Sequence, residues 1–318
     1  MSKELIIFDT DIGGDCDDAG ALALLHSLCE KGEAELLAVT ACYGSPYVAG
    51  CIDAINTFYH RSVPVGINYD RYIGDFKDGD YLGYAKPICE GFDNKYKDGK
   101  NIPDTLEVLR KTLAEAEDGS ITFVVTGTLS SMARLITSGP DEISPLTGKE
   151  LVANKIKRTV VMGGRFMGSW PCTIKCGDMD VVAEWNIKGD IKAAQIACEE
   201  WVGELVFTSY EIGLWCITLK GITYDENNPH PVALAYKLFP WSPDGRESWD
   251  LSAILYAVRP DGGYYYLHPY GKVTVDDEGV TVFEADKNGT HTYLLPREDY
   301  DTVRGVIDNI IKDSPYFF

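Results

Sequence analysis

No stretch of this 318-residue chain reaches the roughly 18 uninterrupted apolar residues that a membrane-crossing helix requires. Strand-like residues begin almost at Met1, leaving no room for the basic and apolar segments of a secretory leader, so a cytoplasmic location is expected. Basic residues are scarce beside acidic ones, 29 Lys and Arg against 49 Asp and Glu. The resulting net charge of −20 repels nucleic-acid phosphates and anionic membrane surfaces, and neither is expected as a partner. The nine cysteines lack paired CxxC spacing and most sit among apolar residues, which argues against a disulfide framework and for reduced, buried thiols. Cys172 and Cys176 are spaced as half of a zinc site, but no second pair accompanies them. Histidine is rare, with five residues at positions 26, 60, 230, 268 and 291. No Pro/Gly/Ser-rich linker, internal repeat or low-complexity tract divides the chain, so residues 1–318 are expected to form a single domain.

Against these absences stands one dense feature. Directly after the apolar run Leu5-Ile6-Ile7-Phe8 comes Asp9-Thr10-Asp11-Ile12-Gly13-Gly14-Asp15-Cys16-Asp17-Asp18, five aspartates in ten residues. So many carboxylates in one loop repel one another unless a positive charge sits among them, and a hard cation with oxygen ligands answers that need. Residues 4–9 read as a buried strand and Ala19 to Leu28 as the helix after it, which places the aspartates in a strand-to-helix turn. In open α/β sheets that edge is where ligands bind. A plainer reading makes Asp17 and Asp18 simple caps at the positive end of the helix. An EF-hand does not fit, because Gly20 stands where its bidentate Glu belongs.

The rest of the chain alternates strand and helix. Strands are expected at 36–41, 63–66, 121–125 and 158–162, and helices at 48–59, 104–116 and 190–200, with another helix between the last two strands. This pattern predicts an α/β fold with a mostly parallel central sheet flanked by helices. Residues 68–101, rich in Tyr, Asp, Gly and Lys, show no periodicity and read as a surface excursion or a lid. Residues 270–296 change character and read as a small antiparallel β-hairpin appendage with an Asn288-Gly289 turn, followed by a helix from Asp299 to Ile311.

Five motifs now line up in order. The aspartate loop, Val125-Thr126-Gly127-Thr128-Leu129-Ser130, Val160-Val161-Met162-Gly163-Gly164, Ala183-Glu184-Trp185-Asn186 and Trp249-Asp250 resemble the successive signatures of the inosine-uridine-preferring nucleoside hydrolase family, over residues 4–260. The resemblance implies a nucleoside-hydrolase-like, Rossmann-type fold. It also implies a calcium ion held by Asp11, Asp18, the main-chain carbonyl of Thr126 and Asp250. Calcium accepts about six to eight oxygens and tolerates so mixed a set. Hydrolysis of an N-glycosidic bond follows from the resemblance, with Asp11 as the base that deprotonates the attacking water. Asp15 or Asp17 would face the ribose, Glu184 and Asn186 would hold its hydroxyls, and Met162, Trp185 and Trp249 would line the pocket. A homo-oligomer, dimer or tetramer, is implied in the same way.

The chain also departs from the family. Its first loop carries two extra residues, Asp15 among them, so which of Asp15 and Asp17 meets the ribose is open. Trp249 stands where many members have a histidine that protonates the leaving base; an indole can stack but is no acid. None of the five histidines is an obvious substitute: His26 sits in an apolar helix and reads as structural, and His230, in a loop after Asn228-Pro229, is a minority candidate to reach the pocket. Ser45 and Pro46 occupy the region of a family asparagine. Two other readings follow: a non-catalytic nucleoside or ribose binder that keeps the metal site, and a magnesium phosphatase using Asp9 or Asp11 as nucleophile. The Thr126, Glu184-Asn186 and Asp250 motifs speak against the second, because that chemistry does not need them.

Overall fold

The structure, a computed structural model, describes residues 3–70, 83–166, 174–176, 179–181 and 183–317. Ten strands build the central sheet: β1 (Glu4–Thr10), β2 (Ala34–Ala41), β3 (Val65–Ile67), β4 (Ile121–Val125), β5 (Ile156–Met162), β6 (Leu205–Thr208), β7 (Tyr265–Leu267), β8 (Gly271–Val275), β9 (Thr281–Ala285) and β10 (His291–Pro296). Their order is β9-β8-β10-β6-β5-β4-β1-β2-β3, with β7 pairing β10 off this path. From β10 to β3 every pairing is parallel, and β7, β8 and β9 are attached antiparallel. Among the described residues no helix is long and apolar enough to cross a membrane.

Side chains alternate across the sheet as a period of two demands. Ile6, Phe8, Val124, Val160 and Val206 enter one core, together with the helices Asp17–Glu30, Pro46–Phe58, Pro231–Leu238, Trp249–Val258 and Tyr300–Lys312. Ile7, Phe123, Val125, Val161 and Phe207 enter the other, with the helices Thr105–Glu115, Ser130–Thr137, Gly148–Lys155 and Ile191–Glu200. Strands buried on both faces explain the near-continuous apolar runs in the sequence. Helix entries carry polar caps, for example Ser45, Asp104 and Asp190, each accepting a backbone N–H of the first turn.

The C-terminal strands differ in one respect from a separate hairpin. β8 and β9 form the hairpin, but the Asn288-Gly289 turn does not pair β9 with β10; β8 lies between them, and β10 runs parallel to β6 as part of the main sheet. The turn is shaped by close backbone approach instead, since a Cβ on Gly289 would sit 2.0 Å from the Gly271 carbonyl oxygen. Of the 68–101 stretch, Ala85–Gly91 is a helix and residues 71–82 lie outside the described residues. So does Cys172.

Register brings the functional loops together. Asp9 stands level with Thr40 and Val125, Val125 with Val161, and Met162 with Thr208, so the chain leaves β1, β2, β4, β5 and β6 at one edge. The Asp17–Glu30 and Trp249–Val258 helices pack side by side against that edge. Gly20 permits the approach, because a Cβ there would meet the Tyr236 hydroxyl at 2.6 Å and Leu251 at 3.2 Å.

Candidate metal centre and ribose pocket

The two adjacent helices begin at the same place. Asp17 and Asp18 open one, Asp250 lies in the first turn of the other, and carboxylate oxygens of all three lie within 4.8 Å of one another. Each is almost wholly buried, at 3%, 2% and 4% exposure, and Asp11 beside them is 7% exposed. Burial pushes the carboxyls of Asp17, Asp18 and Asp250 well above the ordinary range; repulsion pushes further, from Asp15 and Asp11 on Asp17, and from Asp17 and Asp11 on Asp18 and Asp250. Asp18 and Asp250 are in side-chain hydrogen-bond contact. Two carboxyl groups that close cannot both be ionised unless a cation lies against them. The positive ends of the two helices offset part of the repulsion, but only a fraction of a charge each. An all-oxygen, strongly anionic set of this kind fits a hard divalent ion.

Neighbouring groups hold these carboxylates in place. Thr10 donates its hydroxyl to Asp18 Oδ1, and the Asp250 amide donates to Asp17 Oδ2 at 3.1 Å. Asp9 accepts from the Thr40 hydroxyl at 2.5 Å, and burial lifts it to about 7. Asp11 stands outside the 4.8 Å trio, but its charge adds to the upward push on the carboxyls of Asp9, Asp17, Asp18, Glu184 and Asp250, so it lies near all five. Its backbone is packed on Gly127, where a Cβ would lie 2.8 Å from the Asp11 amide nitrogen.

The Thr126 carbonyl, at the end of β4, accepts Asn186 Nδ2 at 2.7 Å. A carbonyl has two lone pairs, so this bond leaves one for an ion. The same amide group reaches the Met162 carbonyl at 3.1 Å and the Met162 sulfur at 3.2 Å, which gathers Thr126, Met162 and Asn186 into one cluster. Glu184 caps the short Trp185–Gly189 helix, accepting from the amides of Asn186, Ile187 and Gly164. Burial nevertheless lifts its carboxyl to about 7. Trp185 is half-buried at the first position of that helix.

The two extra loop residues have different fates. Asp15 turns to Arg246, whose Nε donates to Oδ1 at 2.9 Å and to Oδ2 at 3.1 Å. Cys16 is buried, and burial together with Asp15 and Asp17 drives its thiol far up. Gly13, at φ 121°, supplies the backbone turn that only glycine adopts without strain. Trp249 donates its indole N–H to the Tyr210 carbonyl at 2.8 Å, stacks on the Tyr210 ring at 5.6 Å, and has the Arg246 guanidinium 5.0 Å from its ring.

The histidines lie elsewhere. His230 caps the Pro231–Leu238 helix, accepting from Val232, and its other nitrogen meets the Tyr316 carbonyl; burial lowers it to about 3, and these contacts give it a structural role. His26 is buried, bonded to Asn56 and stacked on Tyr59, as expected of a core histidine. His60 lies against Tyr316, His268 against Tyr293, and His291 accepts from Val273 in the sheet. Ser45 is used as a helix cap. Arg246 and Tyr210 escaped the sequence reading: Arg246 is a lone basic residue shortly before Trp249, and its partner lies 231 positions away.

Comparison with known proteins now decides the family. The profile of the inosine-uridine preferring nucleoside hydrolase family matches residues 6–293. The chain belongs to this family. Its fold is shared by a plant nucleoside hydrolase, PpNRh1, at 19% identity and a TM-score of 0.70, covering 98% of this chain and 99% of that one. The inosine-uridine preferring nucleoside hydrolase from Bacillus anthracis superposes with a TM-score of 0.69 at 19% identity, covering 98% and 100%. The type III effector protein XopQ, solved with adenosine diphosphate ribose, superposes at 0.69 with 12% identity, covering 99% and 95%. No curated protein sequence matches. Nucleoside hydrolases are N-glycosyl hydrolases and metal-dependent, and the buried aspartate trio suits such an ion.

Proposed function

We propose that this chain, acting as one domain, hydrolyses the N-glycosidic bond of a nucleoside or related N-riboside with calcium as its resident ion. The observation that carries the reading is the buried pair Asp18 and Asp250, with Asp17 beside them within 4.8 Å, at the loop edge of a nucleoside-hydrolase chain. Asp11, Asp18, the Thr126 carbonyl and Asp250 would hold the ion, which when bound supplies an electrophile that grips ribose hydroxyls and acidifies water.

The chain's own groups do the rest. Asp11 accepts the proton of the attacking water, whose oxygen bonds to the anomeric carbon while the C–N electron pair leaves with the base. Asp17 takes the ribose side of the lengthened loop, because Asp15 is bound by Arg246. Asn186 and Glu184 orient the sugar through its hydroxyls. Met162 and Trp185 line it, and Trp249 borders the leaving base. Low exposure of these carboxylates keeps bulk water from screening them.

Release of the free base from a panel of purine and pyrimidine nucleosides, with adenosine diphosphate ribose included, tests the proposal. Activity should vanish with chelator, return with calcium, and fall about 10²–10⁴-fold in Asp11→Ala. No free base from any member refutes it. A second reading, a ribose or nucleoside binder without turnover, is favoured by Trp249 before Asp250 and by the placement of all five histidines elsewhere. It requires ligand-dependent thermal stabilisation with no product. A dimeric or tetrameric assembly and a cytoplasmic setting belong to the first reading, and light scattering tests the assembly.

A further inference from the structure

The first loop and the Asp250 segment approach the metal centre from opposite ends of the chain, and one ion pair joins them. Asp15 lies three residues before Asp18, and Arg246 four before Asp250. The guanidinium grips Asp15 through Nε and Nη2 and reaches Glu247 through Nη1 at 2.7 Å. Its side chain is 15% exposed and that of Asp15 29%. The ring of Phe239 lies 5.0 Å from its carbon, as does that of Trp249.

Both anchors are tied down by hydrogen bonds. Arg246 and Glu247 pair antiparallel with Thr218 and Ile217, and the Ser248 hydroxyl meets that of Thr218 at 2.5 Å. On the loop side, the buried Tyr84 hydroxyl accepts from the Gly13 amide at 2.8 Å and donates to the Asp15 carbonyl at 2.7 Å, while Tyr43 donates to the Ile12 carbonyl. The loop backbone is thereby pinned on one side and its inserted carboxylate on the other.

We propose that Arg246 is a positioning residue that adapts the lengthened aspartate loop to the metal site. By clamping Asp15 it holds the Asp17–Glu30 and Trp249–Val258 helices at the separation that brings Asp18 and Asp250 onto one ion. This rests on the ion site argued above. The clamp makes a prediction opposite in sign to simple charge compensation. If Arg246 only offset the acidic charge, removing it would strengthen cation binding; as a clamp, its removal weakens binding.

Calcium titration calorimetry on the chelator-stripped full chain tests this, with wild type, Arg246→Gln, Arg246→Lys, Asp15→Asn and the Asp15→Asn/Arg246→Gln double variant. Arg246→Gln should weaken calcium about 10–100-fold, as loss of a ligand-orienting partner does. Asp15→Asn should weaken it similarly, the double variant no more than either single, and Arg246→Lys should recover part of the loss while keeping the charge without the fork. The tryptophan emission of calcium-free Arg246→Gln should shift, because its guanidinium no longer covers Trp249. Tighter calcium binding in Arg246→Gln overturns the clamp, and so does unchanged affinity with a lowered melting temperature. Failure of the wild type to bind any divalent cation overturns the ion site along with it. Circular dichroism on Arg246→Lys separates these results from misfolding.

Discussion

Asp250→Asn separates a metal ligand from a helix-end residue, because the two roles predict effects of opposite sign in calcium-free protein. The carboxylates of Asp17, Asp18 and Asp250 lie within 4.8 Å. Two full charges at that distance repel by about 3–4 kcal/mol at an effective dielectric near 20. Burial holds part of the group protonated, which lessens this repulsion without changing its sign. The amide nitrogen of residue 250 still donates to Asp17 in the variant. Chelator-treated Asp250→Asn should therefore melt higher than wild type. At calcium about a hundredfold above its dissociation constant, wild type gains about 2.7 kcal/mol, most of which the variant forgoes, so the order of melting reverses. Differential scanning calorimetry with chelator and with calcium reads both. A residue serving only the helix end would lose about 0.3–1 kcal/mol equally in both conditions, and that parallel loss would refute the reasoning.

The Glu184 carboxyl, ordinarily near 4.5, is raised to about 7 by burial, so the folded state holds an extra proton between these values. Its contribution is complete below the lower value and lost as pH rises through the upper, so chelator-treated protein should lose up to about 3 kcal/mol over that window. Glu184→Gln should flatten the decline, and a melting temperature that climbs with pH would contradict it. Tyr84→Phe strands the Gly13 amide and the Asp15 carbonyl, and chemical denaturation should show a loss of about 1–3 kcal/mol; an unchanged midpoint would remove Tyr84 from the loop's support. Gly127→Ala forces a methyl group against the Asp11 backbone and should cost about 1–3 kcal/mol, together with ribose release, in a stability and activity comparison. His230→Ala should lower stability by about 1 kcal/mol through its cap while leaving calcium affinity intact; a change in affinity would contradict the structural role.

Much of the fold was legible because its signals are local. Apolar runs such as Ile6-Ile7-Phe8 and Val160-Val161-Met162 mark strands buried on both faces, and caps such as Asp104, Asp190 and Asp299 mark helix entries one residue from where they occur. The 156–162 strand was placed two residues short, because Ile156 and Lys157 carry no apolar alternation. β6 and the Gly148–Lys155 helix were missed, being four and eight residues long. The hairpin reading of Asn288-Gly289 failed for another reason: turn chemistry favours a reversal but does not choose which strand the returning chain pairs with.

The sequence by itself determined the parallel sheet, the loop edge and the acidic, oxygen-rich character of the site, because each is written in residue types at short range. Tertiary structure alone decided how those residues are divided. It turned Asp15 to Arg246, set Asp17 against Asp18 and Asp250, aimed Asn186 at the Thr126 carbonyl and placed His230 at a helix start. Those choices depend on contacts between segments up to 233 positions apart, such as the Asp250 amide on Asp17, and no local pattern carries the energy of a contact that exists only once the chain has closed on itself.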